Sequence, residues 1–135
     1  MRKTGSEIES DVYAIILASQ LKTVITGSLY KEGMRPIDAK TEDAVVSFMT
    51  GLDSQIQTGV VNVNTYVPDI DMGSGSMVKN GSRCRVLEVL VNAIVHELVP
   101  GEYRFALGAI VQTFAASEIN QHFVNAKIKF ELATF

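Results

Sequence analysis

The stretch from Ile56 to Val67, "IQTGVVNVNTYV", constrains this chain more than any other. Val61, Val63, Thr65 and Val67 fall on one side of an extended strand. Val60, Asn62, Asn64 and Tyr66 fall on the other. Side chains alternate across a strand, so this period of two means one dry face and one partly wet face. The strand's dry face needs a cover. Gly59 within it suggests a bulge, and Pro68 closes the ladder because it has no N–H to donate.

The cover is legible on either side. Glu7 to Ile25 reads as one helix, with Ile8, Val12, Ile15, Ile16, Leu21, Val24 and Ile25 on its apolar face. Ser6 with Glu9 has capping-box spacing. Glu7, Glu9 and Asp11 place negative charge at the positive end of the helix dipole, and Gly27 is a natural stop. Arg83 to Leu98 reads as a second helix, capped by Asn80 or Ser82. Its polar stripe of Arg85, Glu88, Asn92 and His96 is narrow, so its apolar surface is wide enough for burial on more than one side.

Leu29 and Tyr30 form a short strand, after which Gly33 and Pro36 break regular structure. Ala44 to Thr50 is rich in β-branched and aromatic residues and reads as a strand, joined to the long one by "GLDSQ". At the other end, "YRFALGAIVQTFAAS" reads as one strand, with Tyr103, Phe105, Leu107, Ala109, Val111 and Thr113 on one face. "FVNAKIKFEL" is the last, with Val124, Ala126, Ile128, Phe130 and Leu132 opposite Asn125, Lys127, Lys129 and Glu131. The order α-β-β-β-α-β-β predicts an α+β fold, two helices on one face of a mostly antiparallel sheet. At 135 residues, with no internal repeat or long linker, one domain spans residues 1–135.

Chemistry is sparse. Asp69 and Asp71 open a Gly/Ser loop that looks like a calcium loop. The positions that should carry a third oxygen ligand, a glycine and a glutamate instead hold Gly73, Ser74 and Asn80. "GSGSMVKNGS" lacks the P-loop order, and Val78 stands where a dinucleotide fingerprint needs its third glycine. His96 and His122 have no metal-spaced companions. Cys84, the one cysteine, makes no internal disulfide and shows no base beside it. The reading is therefore no catalytic, cofactor or metal residue. With Lys plus Arg at 12 against Asp plus Glu at 15, the net charge of −3 argues against broad nucleic-acid binding. Lys22, Lys31, Arg35, Lys127 and Lys129 remain candidates for a local basic surface. The first residues lack the apolar core of a signal peptide, and no apolar run is long enough to span a bilayer, so a soluble intracellular protein is expected.

The pattern resembles the tail-completion and tail-terminator proteins of long-tailed bacteriophages. "LKTVITGSLYKEGMRP" matches their helix end, Gly, Leu-Tyr and proline loop. "AVVSFMTGLDSQIQTGVVNVNTYVP" matches the hairpin, "SRCRVLEVLVNAIVHEL" the helix and "NAKIKFEL" the closing strand. The resemblance implies a non-enzymatic structural protein that forms a ring, usually six-fold, on the end of the tail tube. Its partners would be copies of itself, the tube protein and a head-joining protein. It would lie in the host cytoplasm during assembly and then in the virion tail. A ring needs a heterologous interface. Val89 and Val95 on the second helix, and Val60 and Tyr66 on the long strand, are the candidates for it. The loop carrying Asp69, Asp71, Gly73, Ser74, Gly75 and Ser76 reads as a tether or docking loop. Two other classes compete. One is a module that binds a peptide or small ligand, with the edge of the long strand accepting another strand. The other is an enzyme using His96 or His122 as acid or base.

Overall fold

The alternating run becomes the middle of a six-stranded sheet. In the computed structural model, which describes residues 2–135, the chain begins with α1 (Gly5–Leu17), α2 (Leu21–Val24), β1 (Leu29–Lys31), β2 (Ala44–Leu52) and β3 (Ile56–Pro68). A small hairpin follows, β4 (Ile70–Asp71) and β5 (Met77–Val78), then α3 (Gly81–His96). The chain closes with β6 (Tyr103–Leu107), β7 (Gln112–Ala116), a 3-10 turn at Ser117–Ile119 and β8 (Gln121–Ala133). The main sheet runs β1-β2-β3-β8-β6, with β7 pairing β8 beyond the end of β6. Among the described residues, only β1 with β2 is parallel. The fold is α+β with a mostly antiparallel sheet, and both long helices share a single core with one sheet face.

The core follows the alternation. Val61, Val63, Thr65 and Val67 are buried, and Val124, Ala126, Ile128, Phe130 and Leu132 lie beside them. Ile8, Val12 and Ile16 of α1 and Cys84, Leu87 and Val91 of α3 close over this face. Burying such side chains contributes about 1.5–3 kcal/mol each. Since β3 is paired along both sides, the long strand has no free edge, and the expected strand-accepting edge on it is absent.

Several elements depart from expectation for identifiable reasons. The first helix begins earlier and breaks. Thr4 caps it and Glu7 completes the capping box, in place of Ser6 and Glu9. Glu9 instead accepts the Phe48 N–H at 2.9 Å, which ties α1 to β2. At Ser19 the hydroxyl donates to the Ile16 carbonyl and accepts the Leu21 N–H, the local competition that interrupts a helix. Gly59 is not a bulge; it pairs with Gly51, and the irregularity lies between Phe48 and Thr50 of β2, opposite Val61 and Val60. A Cβ at Gly59 would come 2.2 Å from the Thr50 carbonyl and 2.8 Å from the Phe130 ring, so glycine is needed there for close approach. The "YRFALGAIVQTFAAS" strand is two strands. Four residues, Gly108–Val111, face only Ala126 and Lys127 of β8. The two surplus residues preserve the alternation, so Leu107 and Thr113 keep one side, while Ala109 is thrown out to solvent. The order is therefore α-α-β-β-β-β-β-α-β-β-β.

The segment between β1 and β2 is fixed by two ion pairs. Asp43, almost wholly buried, accepts from Arg35 Nε at 2.9 Å, from the Ser28 N–H at 2.8 Å and from the Thr41 hydroxyl. Glu42 accepts from Arg83 Nε and Nη2 at 2.7 and 2.8 Å, and Arg83 also donates to the Val24 carbonyl. The bond to Glu42 raises the Arg83 pKa despite burial. A third cluster joins the chain start to β6, with Lys3 Nζ 2.5 Å and Tyr103 Oη 2.8 Å from Asp11 Oδ2. Burial opposes the charged form of Asp11, but the Lys3 and Tyr103 bonds outweigh it and hold the carboxyl below its usual range. Burial, reinforced by Asp11, pushes the Tyr103 phenol far up.

Two expectations follow. Asp43→Ala leaves the buried Arg35 guanidinium unpaired and destabilises by about 3–5 kcal/mol in urea unfolding, whereas Arg35→Met with Asp43→Leu costs less. Asp11 has a lowered folded pKa, so its contribution is complete above the ordinary aspartate value of about 3.9 and is lost as pH falls through the folded value. The stability gap between wild type and Asp11→Asn is therefore flat from about pH 5 to 7 and shrinks below about pH 4 in denaturant titrations.

Candidate functional site

The face of the sheet turned away from the helices is the most distinctive surface. Positions that alternation marks as wet are only half-exposed along β3, including Val60, Asn64 and Tyr66. The face has three zones. At one end the Arg35 guanidinium lies 4.4 Å over the Tyr66 ring. Tyr66 contacts Phe123 at 5.4 Å between centroids, and Phe123 contacts Phe114 at 5.7 Å. Burial raises the Tyr66 phenol. In the middle are polar groups. Ser47 donates to Glu32, Asn125 donates to Asn64 Oδ1 at 2.7 Å, and Asn62 Oδ1 is buried without a partner among the described residues.

At the far end is a hollow of about 560 Å³. Thr50 and Leu52 of β2 line it together with Arg104 and Ala106 of β6, although β3 and β8 lie between those strands. The sheet must therefore curl, concave on its helix-free side, with Val60 and Lys129 in the floor. Leu52 is 73% exposed. Among the described residues, Arg104, Lys127 and Lys129 make no ion pair.

A second feature leaves from the opposite end of β3. The Gly/Ser loop is an arm with defined shape. Ile70 pairs with Val78 and Asp71 with Met77. The Met72 N–H donates to the Ser76 carbonyl at 2.8 Å, and Asp71 accepts the Gly73 N–H at 2.9 Å. The turn uses positive φ at Gly73, Ser74 and Gly75, conformations that glycine supplies without strain. The stretch read as a tether or docking loop thus contains a short hairpin. Ile70, Met72, Met77 and Val78 are each 40–66% exposed.

The chemical candidates are placed as follows. Asp69 is drawn back into the body, where its carboxylate accepts from His122 Nδ1 at 2.7 Å. His122 faces the helix side of the sheet, across from Val67. Cys84 is buried in the core, and burial pushes its thiol up, which disfavours the nucleophilic thiolate. His96 is exposed, with Nδ1 2.7 Å from the Asn92 carbonyl of its own helix. Among the described residues, no three His, Cys, Asp or Glu side chains are grouped to hold a metal ion, and no helix is long and apolar enough to cross a membrane.

The proposed interface residues separate. Val60 and Tyr66 lie on the helix-free face. Val89 is 65% exposed on α3, with Val86 one turn before it at 46%. Val95 is a core residue, 8% exposed, and is withdrawn as an interface candidate. The breadth of the α3 apolar surface comes partly from its packing on both the sheet and α2. The basic candidates are dispersed: Lys31 donates to Ser10 and sits over the Tyr13 ring, whereas Lys127 and Lys129 lie on the helix-free face. The Glu42–Arg83 pair had no local sequence signal, since its partners are 41 residues apart, and the Arg35–Asp43 pair lies in a segment without periodicity.

No protein-family model matches the chain, and no curated protein matches it.

Val95→Lys forces an ammonium into the core and is expected to destabilise by more than about 3 kcal/mol. Val89→Lys is expected to change stability by no more than about 0.5 kcal/mol. Thermal unfolding of the two variants side by side reads the difference.

Proposed function

We propose that this protein is a non-enzymatic phage or prophage structural subunit that assembles head to tail into a ring at the end of a tail tube, terminating the tail and joining it to the head. The observation that carries the reading is the presence of two unlike exposed surfaces, the curled helix-free face and the projecting arm. Head-to-tail assembly requires unlike surfaces, whereas a two-fold dimer uses one patch twice. The sequence resemblance to tail terminators supplies the biological setting. The burial of Cys84 and the inward placement of the Asp69–His122 pair favour a structural role over catalysis.

A second reading rests on the hollow itself. Its volume of about 560 Å³ lies in the range of small-ligand sites, roughly 300–1,000 Å³. That favours a ligand-binding module.

Light scattering across a wide concentration range, with negative-stain imaging of the same sample, separates the two. The expected outcome is a closed ring with a central opening, its mass a whole multiple of the 14.7 kDa chain. A monomer whose melting temperature rises with a small ligand would replace the ring reading with the binding module.

A further inference from the structure

The arm is bonded to the rest of the molecule at its two roots and nowhere between. Among the described residues, no hydrogen bond or ion pair runs from residues 70–78 to another part of the chain. Its bonds are internal: the two ribbon pairs, the Met72–Ser76 bond and the Asp71–Gly73 bond. Ile70, Met72, Met77 and Val78 are not part of the core and are not among the side chains packed against it. The direction in which the arm points is therefore decided at its roots.

The two roots are built differently. The second is Asn80, the cap of α3. Its side chain accepts the Arg83 N–H and its carbonyl accepts the Cys84 N–H, while the Arg83–Glu42 pair ties this first turn to the body. That root belongs to a sixteen-residue helix. The first root, Asp69, lies past the end of β3 and outside any ladder. Two bonds hold it, both to the start of β8. Its N–H donates to the Asn120 carbonyl at 3.1 Å, and its carboxylate accepts from His122 Nδ1 at 2.7 Å. An ionised carboxylate can only accept, so Nδ1 carries the proton in this pair.

His122 is a fixed reference point. It sits in the ladder between Val67 of β3 and Ala115 of β7. The Asp69 side chain is 9% exposed and that of His122 20%. A carboxylate so far withdrawn from water is costly without a donor, so removing the imidazole drives Asp69 outward to solvent. Asp69 is the residue from which the arm springs, and its displacement redirects residues 70–78.

We propose that Asp69 and His122 form a latch that sets the direction of the arm. With the pair made, the arm projects in one orientation. With it broken, the arm swings about Asp69 and Lys79. His122 is thus a positioning residue for the arm, and an arm held in one direction loses less freedom when a partner meets it. The latch does not depend on the ring reading.

The test is limited trypsin digestion of the full chain, read at the Lys79–Asn80 bond in the exposed second root. Cleavage there follows the population of opened arm when opening is fast. Asp69→Ala and His122→Ala are each expected to raise the Lys79 cleavage rate at least tenfold, with cleavage at Lys127 and Lys129 of β8 unchanged. His122→Asn keeps a donor nitrogen at the position of Nδ1 and is expected to cleave like wild type. The double alanine variant is expected to open no further than either single one, because both remove the same bond. Asp69 lies outside the ladder, so Asp69→Ala keeps the test open should His122→Ala fail to fold. Wild-type cleavage at Lys79 in Asp69→Ala overturns the proposal. So does equal acceleration at Lys127 and Lys129, which would assign the pair to global stability. Alanine-like cleavage of His122→Asn overturns it as well.

Discussion

The structure depends on one pairing, β3 with β8, two thirteen-residue strands in unbroken antiparallel register from Ile56 opposite Ala133 to Pro68 opposite Gln121. That register sets Val61 beside Ile128, Val63 beside Ala126 and Thr65 beside Val124, all facing the helices. A slip of one residue would turn either Asn62 and Asn64 of β3 or Lys127 and Lys129 of β8 into the core and put that strand's apolar residues in water, a penalty that makes the register unique. Everything else attaches to this ribbon. The β2 strand adds to one side, and β6 and β7 share the other. The two long helices close over the face that the register has made apolar.

The ribbon fixes the sheet but not the long excursion between β1 and β2. Buried charge does that. Asp43 gathers Arg35, Ser28 and Thr41, while Glu42 binds Arg83 at the start of α3. Buried pairs of this kind gain little over apolar packing but are costly to break singly. Their effect here is geometric. Arg35, held by Asp43, is the same guanidinium that lies over Tyr66 and donates to Gln121. The loop thereby reaches the helix-free face and covers one end of it, leaving the other end open as the hollow.

The fold was legible where periodicity spoke. The alternation of β3 and β8 and the apolar stripes of α1 and α3 located the core, because burial on one face leaves that pattern in the sequence. Boundaries were not legible where a single side chain decided them. Ser19 breaks the first helix through two hydrogen bonds that spacing cannot show. The β6–β7 split depends on what β8 offers opposite Gly108–Val111, a tertiary fact. Of the candidate surface, Val60 and Tyr66 were visible as apolar residues at wet positions. Val95 was misplaced because a wide apolar helix looks the same whether its second side meets a neighbouring copy or, as here, the rest of its own core. The hollow left no sequence signal, since its walls come from strands that are distant in the chain and brought together by curvature.

The second face of the sheet is partly apolar. A six-stranded sheet covered on one side leaves its other side to water or to a partner, and antiparallel sheets tolerate either. Here Lys127, Lys129 and Arg104 share that side with Val60, Leu52 and Ala106, so charge and apolar surface alternate across it. The arm carries Ile70 and Val78 on one face and Asp71 with Met77 on the other. The two features lie at opposite ends of β3. The same rigid strand that organises the core thus holds the arm and the hollow apart, one beyond Pro68 and the other around Val60.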